Sequence, residues 1–445
     1  MSTQSLEDAV QEIGDPIEAR LSAPGMTFPG IKLRGTSFTN WVDEQRAWEE
    51  TCYVGDYSFT EEIRIEGPDA LDFFRDVSVN SFETVTTDLA KFVVQCNTNG
   101  QSVGNGLLYR VDEETFDFQA LPVVTNPWLK YQLEIGDYDA IVKDRETFMI
   151  GVQGPNALKV VEKMIDGKLA NYRRRGLEQV EVDGVSARTI GHGMAGASGV
   201  EFQGPMEHAE HIWNVAVEAG REYGIRQLGG RAQFTARTVG SSIPVVGVDY
   251  LPAIYGEDTR EFREWLPAKS PEAMLSIEGS FDGDHISDWF RSPVELNRGN
   301  LISFDHEFIG REALEAEIEN PQRTYVNLVW NDEDVREVLA SYTEEDNYKF
   351  LDVPAIQKIR LVLDEVRKDG DLVGTCSHPS YSYTAREFVS PATLDVDHAE
   401  PGTEVTIVWG EGNEDDEIWG VMPHVQTEVR ATVVPGQYKT DRRGE

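Results

Sequence analysis

The chain has 445 residues, with 40 Lys or Arg against 79 Asp or Glu, a formal charge of −39 and 40% hydrophobic residues. That length suits two to four domains of roughly 100–200 residues, and 9 Trp, 19 Phe and 15 Tyr suffice for filled cores, which excludes wholesale disorder. Nucleic acid and anionic membranes are poor partners, because phosphate binding needs Lys and Arg where this surface repels it.

Only 12 of the cationic residues are Lys, against 28 Arg. Such self-repulsion calls for counter-ions, and a Debye length of about 3 Å at 1 M salt would screen it. The expectation is a halophilic host; an ordinary acidic enzyme is the alternative. Cys52, Cys96 and Cys376 form no CxxC pair, the pattern of a reduced compartment without a cysteine metal site. The first residues lack the basic and apolar regions of a secretory signal, and no apolar run reaches bilayer length. A soluble, cytoplasmic protein is expected.

In chain order, Leu6, Val10 and Ile13 mark a short amphipathic helix that Gly14 and Pro16 should end. Residues 61–67 alternate like a strand. Gly67-Pro68 then breaks the strand and opens a helix carrying Ala70, Leu71, Phe73 and Phe74. The device recurs at Gly154-Pro155, between the strand FMIGVQ and a helix bearing Ala157, Leu158, Val161 and Met164. The two prolines are 87 positions apart, which suggests two similar α/β lobes.

Residues 207–223 read as one helix with Ala209, Ile212, Trp213 and Ala216 on a face. Around 256–272, Pro267 and Pro271 interrupt any helix. From about 323, alternating strands at 325–330, 358–363, 404–409 and 428–434 predict a C-terminal antiparallel barrel. The acidic runs 331–346 and 410–417 read most simply as solvated loops.

The Gly-rich segment Gly191-His-Gly-Met-Ala-Gly-Ala-Ser-Gly199 carries neither a phosphate-loop lysine nor the dinucleotide spacing. Its backbone can approach a flat ligand closely, with Glu201 at the foot of the next strand. A carboxylate there can accept two hydrogen bonds from adjacent ring N–H donors, as a pterin offers. A turn with a solvent-facing Glu201 is the alternative. His208 and His211 form no HExxH pattern, the Asp282/Asp284/His285 cluster reads as a solvated turn, and no catalytic metal is expected.

Residues 191–202, with Leu228-Gly-Gly-Arg231 some thirty positions on, resemble the folate-binding aminomethyltransferase family, the family of the glycine cleavage T-protein. Gly55-Asp56-Tyr57-Ser58, Gly67-Pro68-Asp69-Ala70, Gln153-Gly154-Pro155-Asn156-Ala157 and Asp305-His-Glu-Phe308 fall in matching order, so the likeness spans about 35–435. Within the family, His192-Gly-Met-Ala-Gly196, Leu251-Pro-Ala-Ile-Tyr255 and Arg263-Glu-Trp-Leu-Pro267 are similar to the tetrahydrofolate-dependent O-demethylases of vanillate and 3-O-methylgallate.

The resemblance implies an α+β fold, two α/β lobes plus a C-terminal antiparallel β-barrel around a central folate-binding opening. The domains would be 30–320 and 321–437. It implies Glu201 and Arg231 as tetrahydrofolate-binding residues and Tyr255 as the proton donor to a departing ether oxygen. Asn105 and Trp128 would lie on the substrate side; a turn residue and core packing are their alternatives. The partner would be a small methyl donor, with the oligomeric state open.

Three departures qualify the substrate. Asn105 stands where the T-protein carries an acid, Phe59 and Thr60 replace a histidine of relatives, and 119–128 lacks the arginine that vanillate-type enzymes use for the substrate carboxylate. The function expected is methyl transfer from a small methylated compound to N5 of tetrahydrofolate. The alternatives are glycine-cleavage aminomethyl transfer and a non-catalytic folate binder.

Overall fold

The structure is a computed structural model describing residues 4–23, 35–194, 196–236, 243–355, 360–412 and 421–438. Three sheets organise them. The first has six strands in the order Ile225–Gln227, Cys52–Asp56, Thr147–Gln153, Gly199–Pro205, Val185–Gly191 and Leu177–Val182. The second has five, in the order Lys91–Cys96, Ser102–Arg110, Thr115–Ala120, Glu61–Glu66 and Ile141–Arg145.

The third closes on itself. Leu361–Lys368, Asp371–Ser377, Glu387–Asp395, Arg323–Trp330, Thr427–Pro435 and Glu404–Trp409 follow one another around a barrel, and Ile407 returns to pair with Val366. Leu328, Leu394, Ile407, Trp409 and Val429 fill its interior. Two lobes followed by an antiparallel barrel is the mixed α+β architecture expected from the sequence.

Both Gly-Pro breaks turn a strand into a helix by the same physical means. Gly67 has φ +148° and Gly154 φ +117°, and a Cβ would lie 2.2 Å from the Asp139 carbonyl oxygen or 2.8 Å from the Cys52 Cα. Only glycine fits such a bend. In the helix Ala70–Val77, Ala70, Phe73, Phe74 and Val77 are buried, a spacing of three and four that presents one face to Ile63 and Ile65. The helix Ala157–Met164 packs against the other sheet in the same way.

Some expectations need correction. Pro16 does not end the first helix, Leu6–Ile13; Gly14 does, at φ +108°, and Pro16 opens a second, Pro16–Leu21, capped by the Asp15 side chain. Proline is suited to that first turn because it lacks only an N–H that would be unpaired anyway. The acidic run at 331–346 is largely helical, Asp332–Ser341. Asn331 caps it, Asp332, Glu333 and Asp334 meet its N-terminal dipole, and Val335 and Val338 are buried. The strand expected at 358–363 is Leu361–Lys368, with Lys358 and Ile359 outside the described residues, as is the acidic run from 413. Among the described residues, no helix is long and apolar enough to cross a membrane.

Candidate functional site

A cavity of about 620 Å³ opens where the three sheets meet, within the range of small-molecule sites. One wall comes from the six-stranded sheet. Gly55, Gly151 and Glu201 lie side by side on three adjacent strands, because Gly55 pairs with Gly151 and Gly151 with Glu201. A Cβ at Gly151 would stand 3.0 Å from the Tyr57 ring, and one at Gly55 3.1 Å from it. The two glycines therefore make the slot that Tyr57 occupies beside Glu201.

Glu201 is 1% exposed, and its Oε1 lies 2.9 Å from His192 Nδ1 and accepts from Gln153 Nε2 at 3.4 Å. The Gln153 side-chain oxygen Oε1 in turn accepts from the Tyr53 hydroxyl and, at 2.7 Å, from the Met194 backbone amide, which ties the glycine-rich segment to the sheet. Burial, with Tyr53 and Glu201 nearby, holds the Tyr57 hydroxyl well above its ordinary pKa. Met149, Met194, Leu107 and Phe59 add apolar surface. A buried carboxylate between flat apolar walls suits a pterin, whose ring donates adjacent N–H groups and needs both faces covered.

The facing wall is built by the five-stranded sheet and the segment before the barrel. Asn105 is not in a turn: it sits within the strand Ser102–Arg110, opposite Val94. Its flanking glycines are set by packing, since a Cβ would meet Thr125 Oγ1 at 2.1 Å from Gly104 and Gln119 O at 2.4 Å from Gly106. Asn105 Oδ1 accepts a 2.7 Å hydrogen bond from Arg298 Nη1. Arg174 and Arg175 also line the cavity, as does Tyr325 from the barrel.

The other expected site residues are elsewhere. Tyr255 is 1% exposed in the core with Trp289 and Phe262, donates to the Glu272 carbonyl at 2.6 Å and accepts from Arg20 at 3.1 Å. It does not line the cavity, because the turn after Pro252 directs it inward between helices. Trp128 packs edge-on to Phe262 at 5.1 Å and is a core residue. Arg231, in the helix Gly230–Thr235, donates to the Val353 carbonyl and bridges to the barrel side rather than lining the cavity. The structure thus brings Glu201 and Asn105 to one cavity and leaves Tyr255, Trp128 and Arg231 out of it. Arg298, Tyr57 and Tyr325, which the sequence did not single out as site residues, also line the cavity. Tyr57 stood within a quoted motif, but Arg298 lies in an irregular segment with no periodicity to mark it.

Two lobes and a barrel thus close around a cavity with a buried glutamate in its wall. The chain belongs to the GCVT family: the GCVT N-terminal domain matches residues 23–252. It is an enzyme, and tetrahydrofolate is the folate of this family. The chain is 29% identical to a syringate O-demethylase of Sphingobium sp., over 99% of this chain and 97% of that one. It is 28% identical to a sesamin methylene transferase of Sinomonas sp., covering 87% of each. An aminomethyltransferase of Caldanaerobacter subterraneus is 22% identical over 83% of this chain and 84% of its own length. The crystal structure of the glycine cleavage aminomethyltransferase T from Bartonella henselae shares the fold, with a TM-score of 0.67 over 99% of both chains at 14% identity.

Proposed function

We propose that the protein transfers a methyl group from a small methoxylated aromatic compound to N5 of tetrahydrofolate, the activity of an O-demethylase. The observation that carries this reading is Glu201, buried in the cavity wall beside the glycine slot. The likeness to a syringate O-demethylase along nearly the whole chain supports the donor class. Residues 30–320 would form the ligand-binding region and 321–437 the barrel that completes it.

Bound tetrahydrofolate would supply the nitrogen that accepts the methyl group. Glu201 would accept hydrogen bonds from the pterin ring and fix its plane, with His192 and Gln153 holding the carboxylate in place. The opposite wall would hold the donor so that nitrogen, methyl carbon and ether oxygen lie in line, an alignment worth about 7–11 kcal/mol. The departing oxygen needs a proton. Tyr57 lines the cavity, so its hydroxyl rather than that of Tyr255 would be placed to give that proton. Aminomethyl transfer of the glycine-cleavage type is less well supported, because Asn105 cannot titrate and is engaged with Arg298.

The test is to incubate the protein with tetrahydrofolate and a panel of methoxybenzoates, sulfonium compounds and methylamines, in low and in molar KCl. Formation of 5-methyltetrahydrofolate from a methoxybenzoate is the expected result. Folate binding with no transfer from any donor would instead identify a non-catalytic binder.

A further inference from the structure

Arg298 is 7% exposed, lines the cavity and meets no carboxylate among the described residues. Its hydrogen-bond partners among the described residues are neutral: Asn105 Oδ1 at 2.7 Å and the Pro244 carbonyl at 2.8 Å. The guanidinium stands 5.0 Å over the ring of Phe92, another cavity residue. Beside it the Tyr250 hydroxyl is buried with no well-formed hydrogen bond.

In a chain with 79 acidic residues, an uncompensated buried cation is conspicuous. Among the described residues two others occur, and both are used up structurally. One nitrogen of Arg20 meets the Tyr255 hydroxyl and three carbonyls, while Arg291 meets two carbonyls and Thr375, and neither lines the cavity. Arg298 has five N–H donors and faces open space.

Resting on the transferase reading above, we infer that Arg298 anchors a carboxylate on the methyl donor, and that Asn105, being uncharged, leaves the charge of Arg298 available. An acid at 105 would close a 2.7 Å ion pair with the guanidinium, cancel its charge and repel an anionic donor. The amide holds the same geometry without neutralising it. Residue 105 thereby sets the sign of the donor this wall accepts. The arrangement also answers the field of the whole molecule: a charge of −39 repels anions at long range, and the local cation compensates where water is excluded.

Calorimetry on the full chain in molar KCl, with 3-methoxybenzoate and 3-methoxybenzamide as probes, tests this without relying on turnover. Wild type should bind the benzoate roughly 30-fold more tightly than the amide, the scale of one buried charge-assisted pair. Asn105→Asp and Arg298→Gln should each abolish that preference, and Asn105→Ala should retain it. The melting temperature, measured alongside, should stay close to that of wild type in all three and reports an intact fold. Equal binding of the two probes by wild type, or a preference that survives Asn105→Asp, overturns the inference. A preserved preference without methyl transfer overturns the transferase reading and leaves this one standing.

Discussion

Glu201 Oε1 and His192 Nδ1 lie 2.9 Å apart across the hairpin that spans the glycine-rich segment, both inside the cavity wall. The histidine opens that segment and the glutamate follows it, so the contact fixes how the segment folds back on the sheet. A ligand gripping Glu201 would therefore find its carboxylate already oriented, which lowers the entropy lost on binding.

Replacing Glu201 with Gln removes the charge but keeps the shape. Hydrogen bonds to a charged group contribute about 1.5–3 kcal/mol, so tetrahydrofolate affinity should fall by roughly 10- to 100-fold with little change in melting temperature. Titration calorimetry beside a thermal melt checks both. Unaltered affinity would remove Glu201 from the site.

Tyr255→Phe separates a structural from a catalytic tyrosine. The variant loses the 2.6 Å bond to the Glu272 carbonyl and the contact with Arg20, at a cost of about 1–2 kcal/mol. A lower melting temperature with methyl-transfer kcat within about twofold of wild type is expected, the range of a residue outside the reacting geometry. A hundredfold loss of kcat in a stable variant would contradict the placement.

The barrel carries a titration of its own. Asp364 is fully buried and burial pushes its pKa up to about 6, partly offset by the nearby Lys349 ammonium, while Glu411 and the Ser280 amide complete its surroundings. Because the folded pKa lies above the unfolded value of 3.8, the protonated form is favoured by folding. That contribution is complete below pH 3.8 and is lost as pH rises through 6. Asp364→Asn should thus change stability little at pH 4 and raise it at pH 7, on the order of a few kcal/mol. Melting temperatures of both proteins across pH 4–8 would show the difference growing with pH; a constant difference would contradict the assignment.

Much of this was legible in the chain itself. The paired Gly-Pro breaks, the alternating strands after 323 and the glycine-rich segment before Glu201 are local patterns, and each is enforced by local physics: a φ that only glycine adopts, a period of two, a close approach of backbone. Asn105 and Glu201 were both named from the sequence, and they do share one cavity. Tyr255 and Trp128 were named equally plainly, yet they belong to the core. Nothing local separates an aromatic side chain turned toward a cavity from one turned toward the interior, because the distinction depends on which elements pack behind it.

The sequence alone determined the Gly-Pro breaks, the alternating strands after 323 and the excess of negative charge, since each follows from composition, period or backbone geometry. Only the tertiary structure decided which cation faces which amide. Arg298 and Asn105 are 193 positions apart, on a loop and a strand that meet solely because two lobes and a barrel close around the same space. That juxtaposition arises from long-range packing, and no pattern within either segment encodes it.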